Sequence, residues 1–189
     1  MHKRILIIAD IEGSTGCGSY RASSFMTGEW AAACVHHTLD LNAICSRLFS
    51  EGAEKIYVKD FHRTGYNIYT ELLDRRVRVV SGYRPGPVPG IGSVFDADAV
   101  MFTGMHASSG SGGFLAHTLT SRYSSVKVNG MPVSELQLFA SSLFSTGIRP
   151  LFFSGCPVAC AGAEACIPGI VTAAVDKNRV AAEGCSETR

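Results

Sequence analysis

The sequence predicts an α/β domain: a mostly parallel or mixed sheet with helices on both faces, a three-layer α/β/α sandwich. Two observations carry that expectation. Ile5–Ala9 is continuously apolar, as a strand covered on both faces must be. Short strand patterns then alternate with segments that place apolar residues every three or four positions, the spacing of amphipathic helices. The chain has 189 residues, 46% of them hydrophobic and 17% charged. That suits one domain across 1–189, with a small subdomain around 108–131.

The elements follow in order. Ile5–Ala9 is the first strand. Residues 28–51 read as a helix, with Trp30, Cys34, His37, Leu41, Ile44 and Leu48 on one face and Gly52 as a stop. The same pattern turns His37 inward and leaves His36 outward. Lys55–Lys59 is a second strand, 67–73 a short helix, and Val77–Val80 a third strand. The segment 83–92 is rich in Pro and Gly and reads as an ordered loop, because a strand pattern resumes at Ala99–Thr103. Ser125–Val128 with Asn129-Gly130 suggests a strand and a tight turn. A helix over 133–146 and strands at Leu151–Phe153 and Ile170–Val175 complete the pattern.

Composition excludes several classes. Lys and Arg total 17 against 16 Asp and Glu, so there is no electrostatic footprint for nucleic acid or an anionic membrane. The apolar run Ile5–Ala9 stops at Asp10, short of the roughly 7–15 residues of a secretory core. The expectation is a cytoplasmic protein whose seven cysteines are thiols. The sequence has no Gly-x-Ser-x-Gly, no phosphate-binding Gly-x-x-x-x-Gly-Lys, no dinucleotide fingerprint after strand one and no His-Glu-x-x-His.

On a parallel sheet, ligands bind beyond the carboxyl ends of the strands. The first strand runs into Asp10-Ile11-Glu12-Gly13, the second into Asp60-Phe61-His62, and Ala99–Thr103 into Gly104-Met105-His106. Glu135 adds a carboxylate near the start of a later helix. Each residue alone has ordinary structural uses, as a turn former or a satisfied histidine. Together, Asp10, Glu12, His62 and His106 form a donor set for Zn, Mn or Fe. Asp10 and Glu12 are two apart, so an extended backbone would point them the same way. Such carboxylates repel unless a cation sits between them, and paired metals about 3.5–4 Å apart are a common solution in hydrolases.

These segments resemble the D-aminopeptidase family of zinc metallopeptidases. The resemblance is carried by Asp10-Ile11-Glu12-Gly13, Met26-Thr27-Gly28-Glu29, Lys59-Asp60-Phe61-His62, Gly104-Met105-His106-Ala107, Leu115-Ala116-His117-Thr118, Val128-Asn129-Gly130 with Ser134-Glu135, and Phe153-Ser154-Gly155. It runs from about residue 4 to about residue 180, and the order of the motifs makes it specific. The resemblance implies metal ligands at Asp10, Glu12, His62, His106 and Glu135, holding two zinc ions, with Mn or Co able to replace them. It places the family's catalytic histidine on His117, read here as a general acid/base rather than a covalent nucleophile. It implies release of N-terminal D-amino acids from short peptides or amides, by a ring-shaped homo-oligomer, expected to be a decamer. Family members commonly run beyond the length of this chain, so substrate choice and assembly are expected to be affected. Cys156, Cys160 and Cys166 match no common zinc spacing and read as packing or redox-sensitive residues. Glu164 is a loose candidate for supporting the site. Two alternatives stay open: another amidase or phosphoesterase, with Lys59 and Arg63 facing a phosphate, or a non-catalytic metal-binding oligomer.

Overall fold

The computed structural model describes residues 2–177, except 87, 89 and 94. Its core is a six-stranded parallel sheet in the order β3-β2-β1-β4-β7-β8. The strands are β1 (Arg4–Ala9), β2 (Lys55–Asp60), β3 (Arg78–Val80), β4 (Ala99–Met105), β7 (Arg149–Gly155) and β8 (Val171–Ala174). A separate hairpin pairs β5 (Lys127–Val128) with β6 (Met131–Pro132) around Asn129 and Gly130, both at positive φ. The helices are α1 (Gly28–Ser50), α2 (Glu135–Phe144) and α3 (Pro157–Cys166).

The continuous apolar run of β1 divides by the strand period. Ile5, Ile7 and Ala9 pack with Leu41, Cys45 and Phe49 of α1 on one face. Leu6 and Ile8 pack on the other face in a cluster with Leu136, Phe139 and Leu143 of α2 and Ala159, Cys160 and Ala163 of α3. Helices therefore cover both faces of the sheet, as the sequence predicts. α1 begins where the Thr27 hydroxyl accepts the Trp30 N–H, and α2 begins in a reciprocal capping box between Ser134 and Gln137.

From β1 the chain works outward to β3, then returns to add β4, β7 and β8 on the opposite side. The strand order reverses between β1 and β4, which opens a crevice at their carboxyl ends. Gly104 sharpens that crevice. It lies near the end of β4 with φ +67°, at a register irregularity against β7, and a Cβ there would sit 1.9 Å from the Asp10 carbonyl oxygen. Its own carbonyl accepts the Gly13 N–H at 2.7 Å. Glycine at both places lets the two strand-end loops touch through their backbones.

Two local expectations change. The short helix over 67–73 is only a 3-10 turn at Thr70–Leu72. The Asn67 and Ile68 N–H groups both donate to the Asp60 carboxylate, which holds the preceding backbone out of helical pairing. Conversely, α3 is a helix that the sequence reading does not include. Pro157 at its first turn and an alanine-rich run form it, and Ala159, Cys160 and Ala163 bury against the sheet.

Candidate metal centre

Asp10, Glu12, His62, His106 and Glu135 come from four different places in the chain, and the structure brings them to the β1/β4 crevice. All five line one cavity of about 880 Å³, and each is about 95% buried or more. Asp10 and Glu12 do not converge by strand alternation. The backbone after Asp10 enters a turn, and the Asp10 Oδ1 accepts the Ile11 N–H at 2.9 Å. Glu135 sits in the first turn of α2, where its Oε1 accepts the Leu119 N–H at 2.8 Å.

The three histidines of the cavity share one arrangement. His62 Nδ1 lies 3.2 Å from Asn67 Oδ1, His106 Nδ1 lies 3.0 Å from the Ala107 carbonyl, and His117 Nδ1 lies 2.8 Å from the Leu115 carbonyl. Donation from Nδ1–H to these oxygens assigns the tautomer and leaves each Nε2 as the available nitrogen. The His106 and His117 rings stack, with centroids 3.7 Å apart and planes 14° apart. His117 is only half-buried, and its main-chain N–H is fixed by the Ala107 carbonyl at 3.0 Å. Leu115 and Leu119, on either side of it, both hold positive φ, a backbone that branched residues seldom adopt.

The donor set fits a metal on two grounds. First, its atoms stand apart. His62 Nε2 is 3.2 Å from Glu12 Oε1, and His106 Nε2 is 3.4 Å from both Asp10 Oδ2 and Glu135 Oε1. Two ligands of a tetrahedral zinc, each about 2.0–2.1 Å from the ion, are separated by ~3.3 Å. Second, His62 Nε2 and Glu12 Oε2 are buried without a hydrogen-bond partner; the His62–Glu12 contact has ion-pair distance but not hydrogen-bond alignment. Orphaned buried donors of this kind call for a ligand. Two overlapping groups meet the spacing of a shared ion: Asp10, Glu12 and His106, and also His106, His117 and Glu135. His117 thus lies within reach of the donor set, whereas His62 stands outside both groups and joins through Glu12.

The electrostatics follow from this crowding. Burial and the neighbouring Glu12 charge drive the Asp10 carboxyl well above its usual range. Burial also works against ionised Glu12, but His62 and His106 hold it low. Burial disfavours protonated His62, yet Glu12 and Asp10 raise it to about 9; likewise Glu135, Asp10 and Glu12 carry His106 to about 10. The field that holds a proton on these imidazoles is the field that would hold a cation there.

Several residues of the site escape a sequence reading. Asn67 orients His62 through its Oδ1 and also donates Nδ2 to Asp60 Oδ1 at 2.8 Å, while Trp30 Nε1 donates to the same Asn67 oxygen at 2.9 Å. No spacing rule marks Asn67; the only available signal was its place five residues after His62, within a turn. Tyr20, Tyr83 and Arg122 also line the cavity. Lys59 does not. It is fully buried, its Nζ donates to the carbonyls of Asp60 and Gly82 at 2.7 and 2.5 Å, and burial lowers its pKa to about 8. Glu164 is also elsewhere, accepting the Thr172 hydroxyl at 2.5 Å. Among the described residues six cysteines are free thiols. Cys156 and Cys160 belong to the core, and burial pushes Cys17, Cys34 and Cys45 up to about 12, far from a reactive thiolate. Cys185 lies outside the described residues.

Comparison with known proteins decides the family. The D-aminopeptidase model, peptidase family M55, matches residues 3–187. The chain belongs to this family. A D-aminopeptidase of Bacillus subtilis (strain 168) is 29% identical to this M55 member over 140 residues, which is 73% of this chain and 50% of that protein. The chain therefore spans about half the length of the curated relative it matches. Among solved structures, the M55 chain superposes on the Zn-dependent D-aminopeptidase DppA from Bacillus subtilis, described as a self-compartmentalizing protease. The TM-score is 0.81 at 22% identity, over 94% of this chain and 70% of that one, and it establishes the shared α/β fold.

Proposed function

We propose that this chain is a metal-dependent aminopeptidase that releases N-terminal D-amino acids from short peptides or amides. The observation that carries the reading is the buried donor cluster of Asp10, Glu12, His62, His106 and Glu135, spaced at 3.2–3.4 Å with orphaned atoms at its centre, in a chain of the D-aminopeptidase family. Those five residues would hold two zinc ions, with Mn or Co as substitutes that the same donors accommodate. When bound, zinc supplies Lewis acidity toward the scissile carbonyl and a nucleophile available at neutral pH.

The chain's own residues do the rest. The crevice walls exclude bulk water from the carboxylates, which strengthens every charge interaction within it. His117 lies at the more exposed side of the cluster with Nε2 available. Its Nδ1 is committed to Leu115 and its plane is fixed by His106, so Nε2 is oriented to take up a proton and deliver it to the departing amine. That role leaves no covalent bond on His117.

The proposal extends to assembly and place of action. The related DppA is described as self-compartmentalizing. Here Phe144 and Met26 are large apolar side chains exposed at 85% and 79%, which suits burial between copies of the chain in a ring, expected as a decamer, in the cytoplasm. Light scattering of the purified protein reads that assembly directly. The activity is tested with matched D-alanyl and L-alanyl anilides, using zinc-loaded and chelated protein. Chelator-sensitive cleavage of the D substrate alone is expected. Equal cleavage of both removes the D preference, and cleavage unaffected by chelation removes the metal.

A further inference from the structure

Lys177 lies three residues past the end of β8. The Val175 N–H donates to the Gly155 carbonyl at 2.8 Å, which ties the exit of β8 to the end of β7. Lys177 is 5% exposed although it carries a cation. Its Nζ donates to the carbonyls of Ser14 and Cys17, the latter at 3.1 Å, and lies 5.1 Å from the centre of the Phe114 ring. Removing an ammonium from water is costly, and an apolar side chain of similar volume fills the same space at less cost. Packing alone therefore does not account for a lysine here.

The two carbonyls belong to the loop that leaves β1 and carries Glu12. Two backbone bonds hold the inner side of this loop to β4: Asp10 N–H to the Thr103 carbonyl at 2.9 Å, and Gly13 N–H to the Gly104 carbonyl at 2.7 Å. The outer side turns on itself. Ser14 donates its N–H and its hydroxyl to the Ile11 carbonyl at 3.0 and 2.7 Å, and the Cys17 N–H donates to the Ser14 carbonyl at 3.4 Å. That last bond is long and weak. The Lys177 ammonium takes the carbonyls at both ends of this last turn. Inside the loop, the buried carboxylates of Asp10 and Glu12 repel one another. The repulsion drives the loop apart, and Lys177 restrains it from outside the cavity, which it does not line. Burial lowers the pKa of Lys177, opposed by acidic neighbours that include Glu12.

We propose that Lys177 is a positioning residue of the metal centre: its ammonium fixes the 11–17 loop and thereby sets Glu12 beside Asp10 and His62 at the spacing a metal requires. This rests on the metal-dependent reading of the site. Lys177 touches no substrate and acts through Glu12. The same cation also reaches the other half of the site. Phe114 sits between Gly113 and Leu115, which both line the cavity, and three residues before His117. The end of β8 thus joins the loop of a metal donor to the loop of the proton-transfer histidine.

The test is zinc affinity, read by chelator competition on the full chain with Lys177→Met. Methionine keeps an apolar stem and loses the charge and its donors. Affinity is expected to fall about ten-fold, the size typical of a group that orients a metal donor. Hydrogen exchange of the metal-free protein is expected to speed up at residues 13–17. Lys177→Arg, which keeps a charge and several donors, is expected to recover most of the affinity. Excess zinc is expected to restore kcat in Lys177→Met with KM unchanged, because the residue acts through a metal donor. Ile56→Ala, a core cavity at the amino end of β2, is the control for general loosening: it lowers unfolding free energy and keeps zinc affinity. If Lys177→Met does not fold, Lys177→Gln, which keeps a donor without the charge, carries the same comparison. Equal zinc affinity in wild type and Lys177→Met overturns the inference alone, as does an equal loss in Ile56→Ala. No zinc on the wild type overturns the metal reading and the inference together. If zinc binding weakens as expected but no peptide is cleaved, the aminopeptidase reading fails while the positioning role stands.

Discussion

Asn67 and His117 show how neighbouring residues of one site divide their work. Asn67 touches no reacting atom in the proposed chemistry, but it fixes the tautomer and plane of His62. Outer partners of this type typically change metal affinity by about 10–100-fold. Asn67→Ala is therefore expected to weaken zinc binding by that factor, read by chelator competition on protein whose circular dichroism is unchanged. His117→Ala acts on turnover: kcat is expected to fall by about 10²–10⁴ as the proton-transfer group is lost, read on protein whose zinc content is measured beside that of the wild type. A His117→Ala protein with full activity would take that residue out of the mechanism. His37 tests burial alone. It is 1% exposed on the inner face of α1, its Nε2 has no partner, and burial followed by the nearby His62 charge lowers its pKa to about 3. The unfolded chain gains this proton below about 6.5, while the folded chain refuses it until about 3. Stability from neutral His37 is thus present above pH 6.5 and is lost as pH falls toward 3. Between pH 7 and pH 5 the loss should be about 2 kcal/mol larger in wild type than in His37→Leu, measured by urea unfolding at both values.

At the scale of elements, the close approach of the β1 and β4 ends decides the geometry of the centre. Gly104→Ala places a methyl group 1.9 Å from the Asp10 carbonyl oxygen and strains a backbone at φ +67°. Urea unfolding should show a loss on the order of 3 kcal/mol, and zinc affinity should drop with it because the Asp10 and His106 loops part. The parallel sheet was legible in the sequence because β1, β2 and β4 are buried runs whose period needs no arbitration. The strand-end carboxylates and histidines were legible for a related reason: an α/β sheet delivers those positions to one edge. The route by which Asp10 and Glu12 meet was not legible, since a turn replaces the extended backbone. Nor was α3, whose buried stripe of Ala159, Cys160 and Ala163 is made of small residues that contrast little with the alanines on its exposed side, nor the segment at 67–68, where the Asp60 carboxylate overrides local helix preference. Side-chain-to-backbone bonds of that sort span too few residues to leave a periodic trace. Of the two arginines that line the cavity, Arg63 was legible from its place beside His62, whereas no spacing marks Arg122.

For the whole molecule, the donors span positions 10 to 135, so the centre exists only when the ends of β1, β2 and β4 and the start of α2 have come together. A ligand that binds only the folded chain stabilises it by an amount that grows with the logarithm of its free concentration. Zinc at 100 times its Kd is expected to add about 2.7 kcal/mol to unfolding free energy, and removing it with a chelator should lower Tm accordingly in a thermal scan.

The place of β1 at the middle of the sheet also reaches back to biosynthesis. Ile5 pairs with Ile56 on one side and with Ala99 on the other. A nascent chain emerges at about 5–20 residues per second, so its most apolar strand leaves the ribosome several seconds before its second neighbour exists. During that interval Leu6, Ile7 and Ile8 have one edge without a partner and one face without the helix that will cover it. Long-range pairing of this kind slows folding and exposes the segment to capture by other chains. The strand that anchors the finished centre is thus the one most in need of chaperone protection while the chain is being made.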